Sequence, residues 1–184
     1  MLNVSHDAND SGMTVMDCEK VATQQIAAAL DGLSHRLAVH GFASNGRSGV
    51  QYRRLKDFDE PYTMVLDARL HALEPAWSTR MGAALRHAAL FMAVEKTRRR
   101  AVVLVTDGEP SDIDVFDSNY LTEDAKHAVD SLASRGVVVH CVSLDQSADA
   151  KVTSIFGRRN CVTPMNNRRL TEALDKVLTA VFNR

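Results

Sequence analysis

Three stretches that lie far apart in the sequence carry side chains whose oxygen atoms can bind a hard metal ion. Asn3, Ser5 and Asp7 alternate near the start of the chain, Thr79 lies in the stretch WSTRMG, and Asp107 follows the run AVVLVT. Amide, hydroxyl and carboxylate oxygens suit Mg²⁺ or Mn²⁺, whereas zinc and copper sites use thiolates and imidazoles. If the fold brings these stretches together, they form a site for a hard divalent cation.

Several neighbours of these residues are candidates for contact with a partner protein. Trp77 and Ser78 immediately precede Thr79, and Glu109 follows Asp107 by two residues. A large aromatic side chain beside a binding site is a common anchor in protein interfaces. We therefore expect Trp77, Ser78 and Glu109 to contact the partner around the metal.

The same residues also have structural interpretations. Ser78 or Thr79 would cap the helix that follows them, since serine and threonine are favoured at helix N-caps. Ser5 would likewise be a cap, and Asp107 would pair with Arg80 or with a backbone amide. In that interpretation the chain is an interaction domain that uses no metal.

A catalytic alternative rests on four carboxylates in one short stretch. Asp112 and Asp114 could join Asp107 and Glu109 as the metal-binding carboxylates of a Mg²⁺-dependent phosphohydrolase. The structural interpretation is a polar loop that Asp112 and Asp114 order. The sequence carries no P-loop, no H-E-x-x-H and no G-x-S-x-G nucleophile elbow, so we expect a protein without catalytic activity.

Composition limits the other function classes. The chain has 184 residues, 45% of them hydrophobic, and a net charge of −1, which fits one domain over residues 1–184 and predicts no nucleic-acid partner. Its three cysteines are scattered, which favours a reducing compartment and hence the cytoplasm. Its apolar runs fall short of the roughly 18 residues that a membrane helix needs, so we expect no membrane insertion.

Predicted strands alternate with predicted helices along almost the whole chain. Apolar runs and alternating patterns predict the strands, and apolar residues at helical spacing predict the helices. The strands are expected over residues 1–5, 36–42, 50–55, 101–106, 137–143 and 160–163, and the helices over 14–33, 64–73, 79–95, 121–134, 148–156 and 170–182.

This order predicts an α/β fold of the Rossmann-like type, with an open, mostly parallel sheet and helices on both faces. Parallel strands then end at one edge, and such sheets bind ligands where the strand order reverses. Asp107 lies where a central strand leaves the sheet. Residues 50–55 are expected at the sheet edge because that strand carries Arg53 and Arg54 at polar positions.

The three stretches resemble the metal-ion-dependent adhesion site of von Willebrand factor A (VWA) domains. That site combines D-x-S-x-S after the first strand, a threonine in a later loop, and an aspartate in T-D-G after the fourth strand. By this resemblance Ser5, Thr79 and Asp107 match metal ligands. Asn3 stands where the family has aspartate, and Asp7 where it has the second serine. The chain begins at the first strand, which we expect to be truncated.

Longer stretches resemble one VWA subfamily, the proteins that activate nitric oxide reductase (NorD type) or Rubisco (CbbO type). The matching stretches, between about residues 3 and 160, are HGFASNGR, KDFDEPY, WSTRMGAALRHA, TDGEPSDIDV and IFGRRN. The resemblance implies an adaptor that works with a MoxR-class AAA+ ATPase. It also implies that the metal binds an acidic residue of the target enzyme, either Rubisco or nitric oxide reductase.

Overall fold

The computed structural model describes residues 2–3, 14–33, 35–75, 77–164 and 167–182. These residues form one six-stranded sheet with helices packed against it. The strands are β1 (Leu2–Asn3), β2 (Val39–Ser44), β3 (Val50–Lys56), β4 (Arg100–Thr106), β5 (Val137–Ser143) and β6 (Cys161–Val162). The helices are α1 (Val15–Gly32), α2 (Met64–His71), α3 (Met81–Val94), α4 (Ser118–Ser134), α5 (Asp149–Phe156) and α6 (Asn167–Phe182).

The strand order across the sheet is β3-β2-β1-β4-β5-β6. All neighbouring strands are parallel except β2 and β3, which are antiparallel and place β3 at an edge. The open, mostly parallel sheet and its arginine-bearing edge strand are therefore confirmed. The chain runs outward from β1 to β2 and β3, and then returns to the other side of β1 with β4, so the strand order reverses between β1 and β4.

Alternating residues of β4 show that helices cover both faces of the sheet. Val102 and Leu104 pack into a core with α3, α4 and α5, whereas Val103 and Val105 pack into a core with α1 and α6. Side chains of α2 join those of α1 in a third cluster, next to β2 and β3. Strand β4 is thus covered on both sides, which is why residues 101–105 form a continuous apolar run.

The long helix α1 begins with a capping box. The Asp17 amide donates to Oγ1 of Thr14 (3.1 Å), and the Thr14 amide donates to Oδ2 of Asp17 (3.0 Å). These reciprocal bonds satisfy backbone donors that the first helical turn leaves unpaired. The helix predicted to start at Thr14 is confirmed. Within the described ranges, no helix is long and apolar enough to cross a membrane; the cytoplasmic location stays a prediction.

Several predicted boundaries are wrong. Helices α4 and α6 each begin three residues earlier than predicted, at Ser118 and Asn167. The second strand begins at Val39 rather than Arg36, because Val39 is already opposite Lys56, the last residue of its partner β3. The third helix begins at Met81 rather than Thr79. Its N-cap residue is Arg80, which makes no side-chain capping bond, so the expectation that Ser78 or Thr79 is the N-cap is also wrong.

Candidate metal and partner-binding site

The carboxyl edge of the sheet, where the parallel strands end, holds the described part of the predicted site. Strands β1 and β4 end at Asn3 and Thr106. Because Leu2 is paired with Val105 in the register of these strands, Asn3 lies level with Thr106 and one residue from Asp107. Since the strand order reverses here, this is the position at which open parallel sheets bind ligands.

The turn after β4 positions Asp107. The amide of Gly108 donates to Oγ1 of Thr106 (3.3 Å), which turns the chain sharply after the strand. Gly108 has a φ of 155°, and a Cβ atom there would lie 3.1 Å from Cβ of Ala148. Glycine avoids both the backbone strain and this close contact. The half-buried Asp107 can therefore leave the strand at the carboxyl edge.

Backbone pairing holds Thr79 at the same edge. The amide and carbonyl of Thr79 bond with the carbonyl and amide of Ser111 (3.0 and 3.1 Å). Ser78 is paired in the same reciprocal way with Ser44, the last residue of β2 (2.8 and 2.9 Å). The loop before α3 is thus tied both to the end of β2 and to the loop that follows Asp107. Thr79 itself is buried.

A buried ion-pair network, which we call the Arg80 brace, fixes these loops together. The Arg80 guanidinium donates to Oδ2 of Asp112 (2.6 Å) and to Oδ1 of Asp114 (2.5 Å). Oδ1 of Asp112 accepts from the Gly46 amide (2.8 Å), and Oδ2 of Asp114 accepts from the Arg47 amide (2.6 Å). The brace therefore joins the turn after β2, the start of α3 and the loop after β4.

The brace keeps Asp112 ionised. Burial alone would raise the pKa of Asp112, but hydrogen bonds from Arg80 and from the Gly46 amide hold it below its usual value. The carboxylate is therefore a structural anion whose oxygens are already used. The sequence interpretation in which Asp107 pairs with Arg80 does not hold for this network, because the guanidinium faces Asp112 and Asp114 instead.

The four carboxylates of the phosphohydrolase alternative are not gathered around one point. Asp112 and Asp114 face Arg80, and Glu109 forms an ion pair with Lys151. Across the described part of the chain, no group of three or more histidine, cysteine, aspartate or glutamate side chains is placed to hold a metal. The geometry of the described residues thus gives no support to a carboxylate-rich catalytic centre.

Exposed apolar side chains lie in the loops before α3 and after β4 and in the first turn of α4, and we call them the apolar rim: Trp77, Ile113, Phe116 and Tyr120. Trp77 is 51% exposed and has a φ of 54°, the one positive φ recorded for a non-glycine residue in the described ranges. Phe116 is fully exposed. Left-handed backbone at a non-glycine residue costs energy and tends to occur at functional sites. Of the expected partner contacts, Trp77 is thus exposed, Ser78 half-buried and Glu109 paired with Lys151.

Sequence reasoning missed one acidic residue next to the site, Glu19. It lies in α1 and is fully buried, and its carboxyl group lies beside the charge and the backbone amide of Asp107. Burial raises the pKa of Glu19 well above its usual value, and the charge of Asp107 raises it further, while the Asp107 amide acts in the opposite direction. The signal was in the sequence: Glu19 interrupts the apolar stripe Val15, Ala22, Ile26 at helical spacing.

The remaining predicted ligands are only partly covered by the structure. Ser5 and Asp7 lie outside the described residues, and Asn3 is described by its backbone in β1. Thr79 and Asp107 are both at the carboxyl edge. The meeting of all five side chains around one ion stays a prediction.

Comparison with known proteins was made for sequence and for structure. The sequence model of the von Willebrand factor type A domain matches residues 18–183. Protein NorD of Brucella melitensis is 34% identical over 176 residues, which are 96% of this chain and 28% of that protein. The chain therefore spans little more than a quarter of the length of this curated relative.

Two solved structures illustrate the likeness of fold. The vWF domain of the type V pili tip protein Mfa5 from Porphyromonas gingivalis has a TM-score of 0.69 at 10% identity, with 98% of this chain and 94% of that chain covered. The manganese-loaded TRAP protein of Plasmodium vivax has a TM-score of 0.55 at 18% identity, with 96% and 70% covered. At these identities the likeness concerns the fold alone.

Proposed function

Because the chain belongs to the von Willebrand factor type A domain family, we propose that it is a non-catalytic adaptor that binds a partner protein through a divalent cation. The proposal rests chiefly on one observation. A hydroxyl residue and a carboxylate residue, Thr79 and Asp107, come from distant parts of the chain and both lie at the carboxyl edge of the sheet, the edge at which open parallel sheets bind ligands. The relatedness to NorD proteins supports the same general role in protein interaction.

The residues present fit Mg²⁺ or Mn²⁺. Hydroxyl, carboxylate and amide oxygens are hard donors, and the TRAP structure of the same fold is manganese-loaded. Thr79 and Asp107 would hold the ion, with Ser5, Asp7 and Asn3 completing the set in the proposed site. A metal bound by so few carboxylates retains positive charge and can accept one from a partner.

The expected partner presents an acidic side chain next to apolar surface. Two opposite unit charges about 4 Å apart attract by about 4 kcal/mol at an effective dielectric constant of about 20, and a divalent ion roughly doubles this. The apolar rim would provide the surrounding contact area, since exposed aromatic and aliphatic groups at a site mark protein interfaces. Trp77 and Phe116 are the candidate anchors.

The wider assembly is proposed from the resemblance to NorD and CbbO proteins. The adaptor would couple a MoxR-class AAA+ ATPase to a target enzyme, either nitric oxide reductase or Rubisco, and an acidic residue of that target would occupy the metal site. The NorD relative supports this assignment, although the chain matches 28% of that protein.

Calorimetric titration with Mg²⁺ and capture assays with a MoxR-class ATPase, nitric oxide reductase and Rubisco test the proposal together. We expect Mg²⁺ to bind the wild-type chain, Asp107→Ala to abolish that binding, and chelator to release the captured target. Failure of Mg²⁺ and Mn²⁺ to bind would overturn the metal-dependent function. Turnover of a phosphoester that is lost in Asp112→Asn would instead support the hydrolase.

A metal-free interaction domain is the second candidate. Asn3 in place of the family's aspartate removes one negative charge, and the apolar rim could bind a partner without a metal. This candidate predicts that partner capture is the same in Mg²⁺ and in chelator, and that Trp77→Ala weakens capture while Asp107→Ala does not.

A further inference from the structure

Two cysteines face each other on neighbouring strands at one edge of the sheet. Cys141 of β5 and Cys161 of β6 are direct partners in the register of these parallel strands. The Cys141 amide donates to the carbonyl of Asn160 (2.8 Å), which fixes this register. Neighbouring strands lie about 4.8 Å apart, and this spacing falls within the roughly 4.4–6.8 Å between the Cα atoms of disulfide-bonded cysteines. The fold thus brings together two thiols that helix α5 separates in the sequence.

The two thiols lie on the same face of the sheet but differ in exposure. Cys141 is fully buried in the core that α5 covers, whereas Cys161 packs against that core and is half-buried. Strand β6 is two residues long and lies at the edge of the sheet. Cys161 can therefore meet a small solute and adjust its position more easily than a residue of a central strand.

The surroundings of Cys161 favour its thiolate. A hydrogen bond with the Cys141 thiol lowers the pKa of Cys161, although burial acts in the opposite direction. The hydroxyls of Thr163 and Thr153 also lower this pKa, while the charge of Asp149 raises it. Burial raises the pKa of Cys141 well above its usual value. Because the thiolate is the nucleophile in thiol oxidation, Cys161 is placed to react first and Cys141 to react second.

We propose that Cys141 and Cys161 form a redox-sensitive pair that a hydroperoxide converts reversibly into a disulfide. The Cys161 thiolate attacks one oxygen of hydrogen peroxide, the O–O bond breaks, and the departing hydroxide takes up a proton and leaves as water. The sulfur of Cys141 then attacks the sulfenic acid of Cys161, and the S–S bond forms as the Cys141 proton leaves with the hydroxyl as a second water. Two thiols are oxidised, one peroxide is reduced to two waters, and a dithiol reductant reverses the change.

The disulfide would close a ring over residues 141–161. The ring contains α5 and the loop after β5, whose Leu144 amide donates to the carbonyl of Thr106 at the end of β4 (2.8 Å). Such a cross-link restrains the chain between the two cysteines. Transient, redox-sensing disulfides are the kind found in reducing compartments, which the sequence predicts for this chain. The inference does not depend on the proposed metal site.

The test exposes the reduced protein to hydrogen peroxide and identifies disulfides by mass spectrometry of peptides that have not been reduced. We expect one intramolecular disulfide, between Cys141 and Cys161, while Cys18 remains a thiol that iodoacetamide alkylates. Dithiothreitol should restore all three thiols. Cys18→Ala is the matched control and should form the same disulfide. Disulfides that involve Cys18, disulfides only between molecules, or three intact thiols after an exposure that fully oxidises a dithiol peptide would overturn the proposal.

The order of the two steps is tested separately. In Cys141→Ala the second thiol is absent, so dimedone should label a sulfenic acid at Cys161, whereas Cys161→Ser should give no label at Cys141. In the wild-type protein, which needs no variant to fold, iodoacetamide should alkylate Cys161 at least about tenfold faster than Cys141 or Cys18. Equal rates at the three cysteines, or preferential labelling of Cys141, would overturn the roles assigned to the two thiols.

Discussion

The carboxyl edge contains two buried acidic residues whose surroundings differ completely. Asp112, in the Arg80 brace, receives bonds from a guanidinium and from the backbone amides of Gly46 and Ile113. Glu19, on the inner face of α1, is fully buried, forms no ion pair within the described ranges, and lies beside the charge and the amide of Asp107. Both lie close to loops that carry the predicted site. Among the described residues, Asp112 has a cationic partner in Arg80, whereas Glu19 has none.

The difference separates a carboxyl group that stabilises the fold from one that does not. A buried charge that is fully paired holds loops in place and is costly to disrupt. A buried carboxyl without a counterion lowers the stability of the fold. On this argument Asp112 fixes the loops around Thr79 in place, and Glu19 does not contribute stability in this way.

The largest effect is expected when the brace is broken. Asp112→Ala leaves the Arg80 guanidinium buried with a lost partner and removes the acceptor for the Gly46 amide. We expect the free energy of unfolding to fall by about 3–5 kcal/mol, measured by urea denaturation. Asp114→Ala is the matched comparison. Because the Asp114 side chain is 40% exposed, its loss should cost much less, and equal costs would contradict the distinction between the two carboxylates.

Acid should weaken the brace in a defined direction. The folded protein holds the pKa of Asp112 below its ordinary value, so between the two values the unfolded chain binds more protons than the native protein. Stability from Asp112 is therefore present at neutral pH and lost as pH falls below about 4. The difference in stability between wild type and Asp112→Asn should shrink over that range in urea titrations. A constant difference would contradict the prediction.

The inner face of α1 should respond in the opposite way to loss of its buried carboxyl group. In chelator, Glu19→Met replaces a fully buried carboxyl by an apolar side chain of similar length. We expect the free energy of unfolding to rise by about 1–2 kcal/mol. Thr23→Val, at a buried hydroxyl of the same face that has no hydrogen-bond partner in the described ranges, should be neutral or mildly stabilising. Destabilisation by Glu19→Met would contradict the prediction and show that a bond such as the one from the Asp107 amide outweighs the cost of burial.

The features that depend on local sequence pattern, such as the bounds of β5 and the position of Asp107, were predicted correctly from the sequence. Strand β5, Val137–Ser143, has the predicted bounds because a buried apolar run begins directly after Gly136. The placement of Asp107 followed from its position at the end of β4. Glu19 was missed because the apolar stripe of α1 was traced through its apolar members, and the acidic residue among them was not counted.

Contacts between residues that are distant in the sequence determine where α3 starts and which residues Arg80 contacts, and local sequence pattern could not predict either. Ser78 and Thr79 have N-cap chemistry, yet their backbones are bonded to Ser44 and Ser111, which lie more than thirty residues away on either side. The helix therefore starts later, at Met81. The role of Arg80 depends on the same long-range contacts. Sequence spacing gave no means to choose between Asp107 and Asp112 as the partner of Arg80.

Substitution of Trp77, which lies in the loop before α3, should change the stability by a smaller amount, and glycine should be tolerated better than alanine. Alanine normally stabilises a backbone position more than glycine does, but at a φ of 54° glycine avoids strain that alanine retains. Trp77→Gly should therefore be more stable than Trp77→Ala by about 1 kcal/mol, as measured by thermal unfolding. Both variants lose the indole, so capture of the proposed partner should fall equally in both. A lower stability for the glycine variant would argue against a strained backbone here.

The smallest effect on stability is expected at Glu109 and Lys151, an ion pair at the carboxyl edge that is open to solvent. Each side chain is 39% exposed, and exposed pairs contribute less than about 1 kcal/mol. Glu109→Gln and Lys151→Met should each change the free energy of unfolding by no more than about 0.5 kcal/mol. Partner capture separates them: if Glu109 contacts the partner, Glu109→Gln weakens capture, while Lys151→Met leaves the carboxylate available and does not. Equal effects of the two variants on capture would place Glu109 outside the binding surface and make it, like Asp112, a residue whose charge is used within the protein.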